Sequence, residues 1–223
     1  MLVIEEPLPE KALIVEEPEI AKLISNFLNI KKSINRRGYL LYIGDFNGEN
    51  IIISTHGVGG PSTALILDEL IGNGVKIIIR YGTAGAINEK NLGKYFIPLG
   101  VSHHYYSSLY QRMRGDIILS LHPDLELAYG LYKLMKDNNR EVFYGSLFQS
   151  DDFYSESHIS SDDAIDMETG TIFLISRLRG VKAASLLILA NFRGKWINYE
   201  EIYRRDSPLV LRFLSEYNGN IKL

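Results

Sequence analysis

Apolar positions follow two rhythms along the chain: short unbroken β-branched runs, and longer stretches in which they recur every three or four residues. Residues 12–15 form the first apolar run and read as a strand. After Pro18, the spacing of Ile20, Leu23, Ile24, Phe27 and Leu28 predicts a helix over 19–28. Residues 39–46 and 50–55 read as two strands separated by Asn47-Gly48, a dipeptide that favours a tight hairpin, so they are expected to pair antiparallel. The second runs into His56-Gly57-Val58-Gly59-Gly60-Pro61-Ser62, after which Leu65, Leu67, Leu70 and Ile71 predict a helix ending near Gly72 or Gly74. Residues 77–79 are a buried strand ending at Arg80, and Gly82, Thr83 and Gly85 then predict a glycine-rich loop.

The second half continues in the same way. Strands are expected over 95–101, 141–148 and 182–189. Helices are expected over 123–135, opened by Pro123, over about 166–178, opened by Asp166-Met167-Glu168 and ended by Gly180, and over 199–217. Between them, 103–114 reads as a polar and aromatic loop over the sheet edge, and 191–195 as a short loop. Residues 149–163 are rich in Ser and Asp and too long for a simple turn, which suggests service to a site. Alternating strands and helices with one antiparallel hairpin predict an α/β domain on a mixed sheet.

Composition narrows the picture. A chain of 223 residues with 46% hydrophobic and 23% charged residues is ordinary for a globular protein, and without a long linker residues 1–223 are expected to form one domain. No apolar run approaches the roughly 20 residues that span a bilayer, and residues 1–10 lack the basic and apolar regions of a signal peptide, so a cytoplasmic location and no membrane partner are expected. With no cysteine, disulfides and thiolate chemistry are excluded. A net charge of −3 provides no footprint for nucleic acid. His56, His103, His104, His122 and His158 show no metal-ligand spacing beyond the adjacent pair His103 and His104, which on a loop reads as solvated or partner-facing, and no metal is assigned.

Three places carry candidate chemistry. Arg80 offers a forked cation and Thr83 a hydroxyl beside flexible glycines, which suits a phosphate or carboxylate; the same pattern fits an arginine in a structural ion pair. Glu168, at a helix start, suits either the positive end of the helix dipole or a pair of ligand hydroxyls. Phe153 and Tyr154 are aromatics in a hydrophilic loop, able to anchor it in the core or to stack on a planar heterocycle.

The order of 56–62, of Arg80-Tyr81-Gly82-Thr83-Ala84-Gly85 and of Asp166-Met167-Glu168 resembles the purine nucleoside and uridine phosphorylase family, closest to the archaeal methylthioadenosine and purine nucleoside phosphorylase branch, over about residues 12–217. The resemblance implies a three-layer α/β/α fold around a mixed, partly barrel-like sheet. It implies a homo-oligomer, commonly a hexamer built as a trimer of dimers, and phosphorolysis of a purine nucleoside, methylthioadenosine among the candidates, with phosphate as co-substrate and no other cofactor. Carried over residue by residue, Arg80 and Thr83 hold phosphate, Arg37 reaches the neighbouring subunit's phosphate, Met167 and Glu168 hold the ribose, Phe153 faces the base, and Asn191 stands at the catalytic position toward the base. Guanidinium and carboxylate are expected to face each other across the cavity.

The sequence also departs from the family. Its first glycine loop, Gly-Asp-Pro-Gly-Arg, reads Glu16-Glu17-Pro18-Glu19-Ile20 here, which removes two phosphate ligands and leaves Glu16 able to pair with Arg80 and fill the anion position itself. The family's late aspartic acid aligns with Asn191, whose amide donates a hydrogen bond but cannot act as a general acid. The histidine that the family lends across the interface has no counterpart in residues 1–11. Three activities follow as alternatives: phosphorolysis, hydrolysis with Glu16 positioning water, and nucleoside binding without turnover, alone or as the partner subunit of an active paralogue.

Overall fold

The computed structural model describes residues 6–113, 117–155 and 161–219. The strands are β1 (Lys11–Val15), β2 (Asn29–Arg36), β3 (Tyr39–Phe46), β4 (Glu49–Thr55), β5 (Ile77–Ala86), β6 (Tyr95–His103), β7 (Val142–Gln149), β8 (Ala164–Asp166), β9 (Lys182–Phe192) and β10 (Lys195–Trp196). The helices are α1 (Pro18–Ser25), α2 (Gly60–Gly72), α3 (Leu125–Asp137), α4 (Thr169–Arg179) and α5 (Tyr199–Glu216).

One sheet runs in the order β10-β9-β6-β7-β8-β5-β1-β4-β3-β2, and β9 also pairs with β5. That extra pairing closes β5, β8, β7, β6 and β9 into a five-stranded barrel. Strands β4, β1, β5 and β9 run parallel, whereas β2, β3 and β4 form an antiparallel meander. The β3–β4 turn is the expected one, with Asn47 and Gly48 at φ 55° and 88°.

The unbroken apolar runs mark strands covered on both faces. Leu13, Ile53, Ile79 and Tyr81 pack with the buried faces of α1, α3 and α5, while Ala12, Ile14, Ile52 and Ile78 pack with α2 and α4. Within the barrel Ala84, Phe96, Leu147, Leu187 and Leu189 form a third apolar group. The result is the expected α/β/α layering.

Several expectations are corrected. β5 does not stop at Arg80 but continues to Ala86, because β9 and β8 hydrogen-bond its two edges through the glycine segment. The β2 strand, polar and largely exposed, is an addition: among the described residues it pairs with β3 alone. Helix α3 is capped by Asp124, whose carboxylate accepts from Leu127 N–H, so Pro123 lies outside it. The expected loop over 103–114 holds a single 3-10 turn at Ser108–Arg112 after β6, and residue 114 lies outside the described residues. Loop 191–195 is a hairpin turning at Arg193 and Gly194. Among the described residues no helix is long and apolar enough to cross a membrane.

Candidate active site

The site lies where strands β1, β5 and β9 end beside the start of α4. Arg80 emerges from β5 with its side chain 1% exposed, a depth at which a guanidinium must be paired. Its Nη1 donates to Asp166 Oδ2 at 2.8 Å and to Thr169 Oγ1 at 3.2 Å, and its Nη2 donates to Glu168 Oε2 at 2.8 Å. Guanidinium and carboxylate therefore touch; the expectation that they stand apart across a cavity is corrected.

Glu168 is the residue before α4, not part of its first turn, and its side chain does not cap the helix. Asp166 does that work, accepting from the N–H and hydroxyl of Thr169. Glu168 Oε1 instead accepts from Gly59 N–H at 2.7 Å, which joins the first glycine segment to the site. Gly59 has φ 87°, a left-handed conformation natural to glycine, and that turn presents its N–H to the acid. His56 stays behind this loop: its Nδ1 lies 2.7 Å from Gly57 O, and burial, then the charge of Arg80, lowers its pKa well below the usual value, so it is neutral.

Thr83 does not face an open anion site. Its N–H and its hydroxyl both donate to Glu16 Oε1, at 2.7 and 2.6 Å, and Glu16 Oε2 is 3.8 Å from Arg80 Nη2. The carboxylate at the end of β1 thus occupies the donors that the sequence pattern assigned to an anion, as the pairing of Glu16 with Arg80 anticipated. Gly82 permits this approach, since a Cβ there would lie 2.7 Å from Glu16 Oε2 and 2.8 Å from Arg80 Cζ.

These groups open on a cavity of about 180 Å³ whose lining includes Arg80, Thr83, Met167, Glu168, Phe153 and Asn191. Six of the seven sequence-predicted site residues are thereby brought together. Arg37, the seventh, lies at the tip of the β2–β3 hairpin with φ 54° and is not part of this lining. Tyr154 is 94% exposed and turns outward.

Four polar or aromatic lining residues were missed as ligand contacts: Glu17, Asp166, Trp196 and Tyr199. Phe153 and Trp196 are nearly parallel, with centroids 6.4 Å apart and planes 23° from each other. Tyr199 donates its hydroxyl to Glu17 Oε1 at 2.8 Å. A lone tryptophan beside a short polar turn was the available signal for this wall. Burial drives the electrostatics: it pushes Glu168 up to about 8 against the pull of Arg80, with Asp166 and Glu16 adding to the rise, and it raises Asp166 as well. Among the described residues no cluster of acids and histidines fits a metal ion.

The family model of the Phosphorylase superfamily matches residues 12–214, and the chain belongs to that family. It is 27% identical over 210 residues to a guanosine phosphorylase of Halorubrum lacusprofundi, covering 87% of this chain and 86% of that one. It is 30% identical over 206 residues to a DeoD-type purine nucleoside phosphorylase of Photobacterium profundum, covering 86% of each. Among solved structures, Toxoplasma gondii purine nucleoside phosphorylase in complex with immucillin-H superposes with a TM-score of 0.81 at 19% identity, covering 96% of this chain and 95% of that one, and shares its fold.

Proposed function

We propose that this protein cleaves the N-glycosidic bond of purine nucleosides by transferring the pentosyl group to phosphate. The observation that carries the reading is the convergence of Arg80, Thr83, Met167, Glu168, Phe153 and Asn191 on one cavity. The relatives' names, guanosine phosphorylase and purine nucleoside phosphorylase, support it. Each Glu168 oxygen accepts one protein hydrogen bond, which leaves lone pairs for the two ribose hydroxyls. Met167 packs against the sugar, Phe153 faces the base, and the Asn191 amide donates to a base acceptor. A phosphate oxygen attacks the anomeric carbon as the base departs, and the carboxylates stabilise the oxocarbenium-like state between. Arg80 and Thr83 hold that phosphate once Glu16 yields the position, and Arg37 completes the neighbouring copy's site in a cytoplasmic homo-oligomer. Phosphate is the only further reactant; no cofactor is assigned.

One observation favours a second reading. Glu16 already holds both Thr83 donors, and its buried Oε2 has no hydrogen-bond partner among the described residues. A carboxylate so placed can take a proton from an attacking water, which makes the reaction hydrolysis. Release of free base from a nucleoside panel, measured with and without phosphate, separates the two. Phosphorolysis predicts release only with phosphate. It also predicts a lower phosphate KM in Glu16→Gly: two charges about 4 Å apart repel by about 4 kcal/mol at an effective dielectric near 20, so a gain of up to about 10³ is expected. Undiminished release without phosphate, abolished in Glu16→Gly, establishes hydrolysis. Nucleoside binding with no release under either condition establishes a non-catalytic member.

A further inference from the structure

The charges around the cavity do not balance. Among the described residues Glu16, Glu17 and Asp166 line it with one cation, Arg80, while burial favours the neutral, protonated form of the fourth acid, Glu168. Beyond the single guanidinium, the field at the cavity is therefore negative and favours positive charge in whatever enters. The depth of the site sharpens this preference. Glu16, with its side chain 9% exposed, leaves Oε2 without a hydrogen-bond partner among the described residues, and a buried acceptor in that state is costly.

A second feature, of different chemistry, points the same way. Phe153, Trp196 and Tyr199 line the same cavity, and the near-parallel Phe153 and Trp196 rings offer faces whose quadrupole attracts cations. Tyr199 is tilted 54° to Trp196 with centroids 6.4 Å apart, and its hydroxyl bond brings Glu17 beside the aromatic group. Asn191 supplies the third observation. An amide has no proton to give a departing base. A base that already carries positive charge needs none.

We propose that this site prefers nucleosides whose base is a cation, such as an N-quaternised purine or a pyridinium riboside, over neutral nucleosides. The proposal rests on the glycosidic-cleavage reading and names its substrate class. In the reaction a phosphate oxygen forms a bond to C1′ and the C1′–N bond breaks. Both electrons of that bond pass to the ring nitrogen and cancel its charge, and the base leaves neutral. No proton is transferred to it, so Asn191 orients the ring and does not act as an acid.

The test compares two ligands that differ by one ring atom. Nicotinamide riboside carries a pyridinium nitrogen, and benzamide riboside carries a neutral carbon in its place. Calorimetry on the full chain without phosphate is expected to show the cation binding about tenfold tighter, with Trp196→Leu and Glu17→Gln each reducing that ratio by about threefold or more. Equal affinities in the wild type overturn the proposal, as does a ratio unchanged in both variants. Base release with phosphate from N7-methylguanosine and guanosine is measured in parallel. If neither is cleaved while the binding preference holds, the cleavage reading fails and the charge preference stands. If guanosine is cleaved and the two ribosides bind alike, cleavage stands and the charge preference falls.

Discussion

Glu168 is pulled in opposite directions by burial and by Arg80, and burial dominates: its pKa is pushed up to about 8 from the usual 4.5. The consequence for stability has a definite sign. Between those two values the folded chain holds a proton that the unfolded chain has released, so the stability contributed by this group is present below about 4.5 and is lost as pH rises through about 8. Glu168→Gln keeps the shape and removes the titration. The melting temperature of the wild type is therefore expected to fall more steeply than that of the variant across this window; parallel profiles would show that the acid is ionised throughout. At this scale Arg80, Thr83 and Glu168, which the sequence marked, line one cavity. Nothing in the sequence signalled that Asp166 holds the other side of Arg80, because Asp166 precedes α4 in the manner of many acids that only cap a helix.

Among elements, β5 shows what periodicity conveys and what it omits. Its apolar start was legible, as were β1, β3, β4, β9 and the five helices, because burial on one or both faces writes a period into the chain. Its glycine-rich end was not legible as strand, since only the neighbours β8 and β9 make it one, and pairing partners leave no local signature. β2 escaped notice for the opposite reason: exposed along most of its length, it has no buried face to set a pattern. The Trp196–Tyr199 wall depends on the β9–β10 turn carrying residue 196 to residue 153, a tertiary juxtaposition that spacing cannot reveal. The glycines of β5 serve approach more than flexibility. Gly82→Ala would drive a methyl against Glu16 and the Arg80 guanidinium, both buried, and is expected to cost about 1–3 kcal/mol in urea denaturation. A stability equal to wild type would mean that both side chains move aside without penalty.

Across the whole molecule, one buried acid ties three parts of the fold. Asp206 of α5, with its side chain fully buried, accepts from Tyr95 of β6 at 2.7 Å and from Arg140, just before β7, at 2.7 Å, and Arg205 donates to it as well. Replacing Asp206 with Ala strands the buried Tyr95 hydroxyl and the half-buried Arg140, and is expected to cost about 3 kcal/mol in urea denaturation. Arg205→Ala removes a half-exposed partner and is expected to cost no more than about 1 kcal/mol. Equal losses in the two variants would place the strength of the tie in Arg205.

The position of β1 between β4 and β5 has a further bearing on the site, because its end carries Glu16. An anion delivered by a central strand is an intramolecular rival, present at an effective concentration fixed by the backbone and insensitive to dilution. In the proposed phosphorolysis, external phosphate would have to outcompete a tethered group that cannot diffuse away. Half-saturation by phosphate then measures the strength of that tether as much as the affinity of the donors themselves.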